Sequence, residues 1–184
     1  MSKKIIHLYG ASGAGVSTFG RFISKKLSCF FMDTDDYFWE KTNPPYIAPR
    51  PVSERLRLMK KDINAHENVV IAGSLVDWGD ELIFLFTLAI RVITPTSIRI
   101  ERIKRREYKR FGSRIEAGGD LHEAHIKFID WAASYDEGDL NIRSKAKHDE
   151  WQKKLFCPIL FVDGSKSLEK NFNIINEFIK KQEA

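Results

Sequence analysis

The stretch IIHLYGASGAGVSTFGRFI, residues 5–23, decides how the chain is to be read. An apolar run of strand length, Ile5–Tyr9, passes through a glycine-rich turn into a helically spaced segment, Phe19–Leu27. Glycines at positions 10, 13 and 15 permit positive φ and close backbone approach, so successive N–H groups can converge on one anion. The helix that follows adds its positive end and its unpaired amide donors. Residues Gly10 to Thr18 match the phosphate-cradling pattern G-x-x-x-x-G-K-[ST] at every position but one: Val16 stands where the lysine belongs. The candidate anion-binding set is therefore Gly10, Ser12, Gly13, Ala14, Gly15, Val16, Ser17 and Thr18. Ser17 sits where a hydroxyl ligand for Mg²⁺ is expected. The missing lysine ordinarily places a point charge on the terminal phosphates, and its loss costs on the order of a few kcal/mol of transition-state stabilisation. Either another cation serves the loop, or the loop has lost its transfer chemistry.

Composition narrows the class. A chain of 184 residues, 43% of them hydrophobic, is long enough for one domain with a substantial core and is not a disordered sequence. Met-Ser-Lys-Lys leads into an apolar run too brief for a secretory signal, and no small-residue cleavage site follows. The most apolar later window, Leu82 to Ile93, is interrupted by Thr87 and Arg91, which argues against a membrane span. A cytoplasmic protein is expected. Cys29 and Cys157 lie outside any C-x-x-C pattern and read as buried, reduced thiols. Charge is uneven: between Arg99 and Arg114, eight basic residues face only Glu101 and Glu107, a local excess larger than the +5 of the whole chain. Such a segment suits polyphosphate or nucleic acid.

Short apolar runs recur at Ile5–Tyr9, Cys29–Met32, Val69–Ala72, Leu88–Ile93 and Ile159–Val162, mostly separated by longer segments with helical spacing. That alternation predicts an α/β domain whose parallel sheet is buried on both faces. Thr94-Pro95 reads as a capping hydroxyl before a first-turn proline, and Asp120 with Glu123 as a capping-box-like start. Leu121, His125, Phe128, Ala132 and Tyr135 share one helical stripe, and Leu168, Phe172, Ile175 and Ile179 predict a C-terminal amphipathic helix. The proline-rich run from Asn43 to Pro51 predicts a stiff loop, with Ser53 capping the helix after it.

Carboxylates appear where a parallel sheet binds ligands. FFMDTDDYFW, residues 30–39, puts Asp33, Asp35 and Asp36 at the C-terminal end of the second strand. Asp33 and Asp35 are candidates to orient Mg²⁺ or to take an acceptor hydroxyl's proton; Asp36 reads equally well as a solvated turn residue. In AGSLVDWGDEL, residues 72–82, Gly73 and Ser74 end the third strand near the first loop, and no carboxylate ends that strand. Trp78 has two readings, a base-stacking face or a cover on a core edge. Trp39 and Tyr46 flank the proline loop, with an acceptor pocket and plain packing both open. Trp131 and Tyr135 read as core, and His122, His125 and His148, lacking metal-ligand spacing, as surface or packing residues.

These motifs resemble those of the small nucleoside and nucleotide kinases related to adenylate kinase, and of shikimate kinase. The likeness is greatest to adenylate kinase-like ATPases whose loop reads G-A-S-G-x-G. It extends through DTDDYFW and NPPY, GSLVDWGDE, RIKRREYKRFGSRIEAGGD, WAASYDEG, RSKAKHDEW and CPILFVDG. The resemblance implies a three-layer P-loop kinase fold: a five-stranded parallel sheet in the order 2-3-1-4-5, helices on both faces, and a helical lid at about 105–145, all in one domain spanning 1–184. It implies ATP and Mg²⁺ as cofactors, with Arg102 near the adenine and Arg105 or Arg106 near the phosphates. Arg110, Arg114 and Arg143 would be lid cations, and Arg50, Arg55 and Arg57 would lie on the acceptor side. The implied catalytic set is Asp33, Asp35, Arg105, Arg106, Arg114 and Arg143. The same template puts Cys29 and Cys157 at opposite sheet edges. Val16 and the missing carboxylate after the third strand depart from the pattern, and both touch catalysis rather than fold.

Three functions follow as expectations. The first is transfer of the γ-phosphoryl group of ATP to a nucleotide, nucleoside or other small hydroxyl acceptor. The second is a nucleotide-binding regulator with little or no kinase activity. The third, nucleic-acid binding by the basic segment, would be steeply salt-dependent, but no nucleic-acid module is recognisable. The expected partners are a nucleotide and a small-molecule acceptor, without a membrane, for a monomer or homodimer.

Overall fold

The computed structural model describes residues 3–183; Met1, Ser2 and Ala184 lie outside them. Five strands form one sheet in the order β2-β3-β1-β4-β5. They are β1 (Ile5–Gly10), β2 (Phe30–Asp33), β3 (Val69–Ala72), β4 (Leu88–Ile93) and β5 (Ile159–Asp163), and every neighbouring pair is parallel. All six residues of the central β1 are buried, as a strand covered on both faces requires.

Alternation along the strands divides the core into two layers. Ile6 and Leu8 of β1, with Val70, Ala72, Ile90 and Val92, pack beneath α1 (Val16–Lys26) and α7 (Leu168–Glu183) through Phe19, Ile23 and Ile175. Ile5 and Tyr9, with Met32, Val69 and Ile71, face α3 (Val52–Ala65) through Leu56, Met59 and Ile63. That layer is completed by Trp151 of α6 (Lys145–Gln152) and by Leu82 and Ile83 of a 3₁₀ turn, Asp80–Leu85, which has no periodic signal in the sequence. The short α2 (Thr34–Phe38) follows β2 directly. A third cluster, Ile103, Ile129 and Ala132, joins α4 (Thr96–Phe111) to α5 (His122–Ala133). The three-layer α/β architecture, the parallel sheet and its order match the sequence reading. Cys29 and Cys157 precede the two edge strands, β2 and β5. Among the described residues no helix is long and apolar enough to cross a membrane.

The predicted helix starts need correcting. α1 begins at Val16, three residues before Phe19, because Gly15 at φ 97° turns the chain into the helix. Thr94 does not cap α4; its hydroxyl is used elsewhere, as described below. Asp120 is drawn into a pair with Arg114, and α5 starts at His122 without a side-chain cap. Ser53 lies inside α3, whose N-cap is Pro51.

Candidate phosphate-binding site

The loop after β1 is held by its scaffold. Ala14 N donates to Ala11 O at 3.1 Å, and the buried Thr94 hydroxyl donates to Ala14 O at 3.0 Å. Arg102 reaches the same carbonyl at 3.4 Å and Gly164 O at 3.0 Å. Gly13, at φ 78°, lies so close to the first turns of α4 that a Cβ would stand 2.5 Å from Arg99 O. No other residue fits there. Arg99 itself, counted in the basic segment, is wholly buried. Its guanidinium donates to Thr94 O and Ala132 O at 3.0 Å, Thr96 Oγ1 at 2.8 Å and Asp136 at 2.6 Å. It ties α4 to α5 and takes no part in the basic surface.

A cavity of about 390 Å³ opens over the loop. The register Leu8↔Ala72↔Asp33 brings three strand ends to one level, so the walls come from three elements. Gly10, Ser12, Gly13, Gly15, Val16, Ser17 and Thr18 form the floor; Asp33, Thr34, Asp35, Gly73 and Ser74 form one side; Arg102, Arg106 and Arg143 form the other. Ala14 lines instead a neighbouring cavity of about 310 Å³ with Val92, Asn171 and again Arg102, which therefore borders both.

Asp33 caps α2, accepting from Asp35 N at 3.2 Å. Burial pushes its carboxyl above the ordinary range, against the opposing pull of the Ser17 side chain and the Asp35 amide. Asp35 opens onto the cavity, yet the protein around it and the charge of Asp33 raise its carboxyl too, while Arg143 and Arg106 oppose the rise. Arg143 lies over the Trp131 ring at 4.6 Å, and its buried Nε has no hydrogen-bond partner in the protein. Burial holds the Arg143 guanidinium below its usual range. Val16 is buried among Ala11, Phe19 and Val92, so the lysine's position is apolar.

The other predicted residues divide clearly. Arg106, one helical turn beyond Arg102, reaches the cavity; Arg105, rotated about a quarter-turn around α4, does not line it. Arg114 also lies away from it, exposed and bidentate with Asp120 at 2.9 and 2.6 Å. Arg50 donates to Asp36 O and Tyr37 O, Arg55 stacks on Phe38 at 3.6 Å, and Arg57 meets Glu54 on its own helix, so Arg50 and Arg55 brace the segment after β2 while Arg57 does not. Trp78 is core: it is buried, with Nε1 donating to Ser74 O. Tyr46 accepts from Arg110 at 3.0 Å. Among the described residues no cluster of three or more His, Cys, Asp or Glu could hold a metal. Two features left no mark in the sequence: the Thr94 brace, and a buried chain from Ser74 through His148 to Tyr135.

Residues 6–126 match the family model described as the AAA domain. The chain belongs to that AAA domain family. Within the curated proteins, the uncharacterized protein YqaC of Bacillus subtilis (strain 168) is 35% identical over 177 residues, 96% of this chain and 98% of that protein. Among solved structures, shikimate kinase from Bacteroides thetaiotaomicron matches with a TM-score of 0.59 at 16% identity, over 97% of this chain and 99% of that one. Deoxyadenosine kinase from M. mycoides with bound dATP matches with a TM-score of 0.52 at 16% identity, over 96% and 99%. This AAA domain chain thus has the fold of the P-loop kinases, shared with several small-molecule kinases and not with adenylate kinase in particular.

Proposed function

We propose that the protein is an ATP-dependent phosphotransferase, adenylate kinase-like in its loop, that moves the γ-phosphoryl group to a nucleotide, nucleoside or other small hydroxyl acceptor. One observation carries this reading: a glycine loop, an acidic pair and two arginines, Arg106 and Arg143, line a single cavity. The residues fit nucleotide phosphates, because the glycine loop and the arginines line one cavity and the buried Arg143 Nε lacks a protein acceptor. Mg²⁺, when bound, neutralises phosphate charge. Ser17 and Asp33 would hold it, the remaining ligands being phosphate oxygens and water, as Mg²⁺ prefers. Asp35, with its raised carboxyl, accepts the proton of the attacking hydroxyl. Arg106 and Arg143 supply the charge that Val16 does not. Arg102 borders the second cavity, which suits the nucleoside end. Among the described residues no aromatic side chain lines the larger cavity, which favours a small polar acceptor over one gripped by its base, and the shikimate kinase among the structural neighbours agrees with that.

We read residues 105–145 as the lid of a single domain spanning 1–184, and the protein as cytoplasmic, acting as a monomer or homodimer. The apolar environment of Val16 favours one second reading, a nucleotide-binding regulator with little transfer activity. Phosphorus NMR of the protein with Mg²⁺·ATP and a pool of nucleosides, monophosphates and shikimate separates the two. A new phosphorylated product with matching ADP is expected; intact ATP with protein-dependent line broadening would favour the regulator.

A further inference from the structure

Behind the cavity wall four polar side chains run in a line through the protein interior. Arg91, on β4 and 5% exposed, is anchored by Asp149 and by Gln152 at 3.1 Å. Its guanidinium charge acts on the Tyr135 hydroxyl, opposing the rise that burial causes there. That hydroxyl lies 2.6 Å from His148 Nδ1, and His148 Nε2 lies 3.2 Å from Ser74 Oγ. Tyr135 and His148 are buried, and Ser74 lines the cavity.

The direction of this chain follows from donor chemistry. A guanidinium offers only positive charge and donors, so the phenol of Tyr135 turns its oxygen lone pairs toward Arg91 and its hydrogen away. Its own hydrogen then goes to His148 Nδ1. Burial holds the His148 imidazole at a pKa of about 3, so it is neutral and carries one N–H. With Nδ1 accepting, that hydrogen is on Nε2 and is donated to Ser74 Oγ. Ser74 therefore cannot donate back to the histidine, and among the described residues its hydroxyl hydrogen has no protein acceptor. Ser74 stands two residues past Ala72, whose register partners are Leu8 of β1 and Asp33 of β2, so it lies between the glycine loop and the acidic pair.

We propose that Ser74 is a fixed hydrogen-bond donor to an anionic oxygen bound in this cavity, its direction imposed from Arg91 through Tyr135 and His148. The group recognised is a phosphoryl or carboxylate oxygen; an ammonium or an N–H in that place would face a hydrogen. The oxygen belongs either to the γ-phosphoryl group or to the acceptor. Ser74 touches the ligand, whereas Arg91, Tyr135 and His148 are positioning residues. This inference rests on the reading of the cavity as the transfer site.

The test uses the full chain. Nitrogen NMR of the wild-type histidine rings should find the His148 proton on Nε2; a proton on Nδ1 overturns the proposal. Calorimetry then compares Ser74→Ala with wild type for Mg²⁺-bound ADP, a non-hydrolysable ATP analogue, and inorganic phosphate added to the analogue-saturated protein. Losing a hydrogen bond to a charged group should weaken binding about tenfold or more. A loss for the analogue but not ADP assigns the oxygen to the γ-phosphoryl; a loss for added phosphate assigns it to the acceptor. Tyr135→Phe should reproduce the loss in the same arm, and Ser74→Thr, which keeps the hydroxyl, should restore binding. Unchanged affinity in both arms, or an equal loss for ADP, overturns the proposal. Failure of wild-type protein to bind Mg²⁺·ADP would instead sink the transfer-site reading underneath it.

Discussion

Arg143→Met separates the roles of charge in holding ligand and in holding the fold. The unpartnered, buried Nε costs the wild type about 1–3 kcal/mol. Against this, the contact with the Trp131 ring at 4.6 Å returns about 0.5–2 kcal/mol. A methionine keeps much of the volume and removes both, so the ligand-free protein should change stability by about 1 kcal/mol or less, with either sign. Binding should suffer much more, because a charge-assisted bond to phosphate is worth about 1.5–3 kcal/mol, or about 10–150-fold in affinity. ATP at about 100 times its Kd adds about 2.7 kcal/mol of stability. After a loss of about 30-fold the same ATP adds only about 0.9 kcal/mol. For a domain of this size the melting shift on adding ATP should fall from about 5–11 °C to about 2–4 °C. Thermal-shift measurements with and without Mg²⁺·ATP read both quantities at once. An undiminished ATP shift would refute the assignment of Arg143 to the phosphates, and a ligand-free loss of about 3 kcal/mol or more would make it a structural tie instead.

Four further outcomes are expected. Arg99→Met should cost about 3 kcal/mol in urea unfolding, since it strands the buried Thr94 and Ala132 carbonyls, whereas Asp136→Asn, at the half-exposed end of the pair, should cost about 1 kcal/mol or less. Thr94→Val should lose about 1–2 kcal/mol and also weaken ATP binding by calorimetry, because it frees the loop carbonyl of Ala14. Burial lowers His7 and His148 to about 3, so the unfolded chain binds more protons than the folded one between there and the ordinary histidine value of about 6.5. Urea midpoints should therefore fall as pH drops from 7 to 5, and His148→Gln should flatten that slope by about 1.4 kcal/mol per pH unit. Asp35 has the opposite sign: its raised carboxyl binds more protons folded than unfolded, so Asp35→Asn should stabilise the ligand-free protein at pH 7 but not well below the carboxylate range. The same variant should lower kcat by about 10²–10⁴ if Asp35 is the base.

Legibility followed the physics of each signal. Strands buried on both faces read as unbroken apolar runs, so Ile5–Tyr9 and Val69–Ala72 stood out, and glycine spacing marked the loop whatever occupied the lysine position. Cap residues were harder. Thr94, Asp120 and Ser53 all have capping chemistry, but a hydroxyl or carboxylate goes to its best partner in space, here Ala14 O for Thr94 and Arg114 for Asp120. Arg99 looked like one more charge on a solvated helix, because a sequence does not show which face a later helix covers. Helical geometry could have sorted Arg102 and Arg106 from Arg105 once the cavity side was known. The chain joining Ser74 to Arg91 comes from four distant segments, with no spacing to betray it.

The bracing of the Ala14 carbonyl bears on how such a loop tolerates losing its lysine. Thr94 and Arg102 grip that carbonyl, and the close fit of Gly13 against α4 holds the turn from below, with no ligand needed for either contact. Curvature and charge are thus supplied by different parts of the chain. Shape comes from the scaffold and charge from the arginines opposite, so the cation can migrate during evolution without remoulding the cradle.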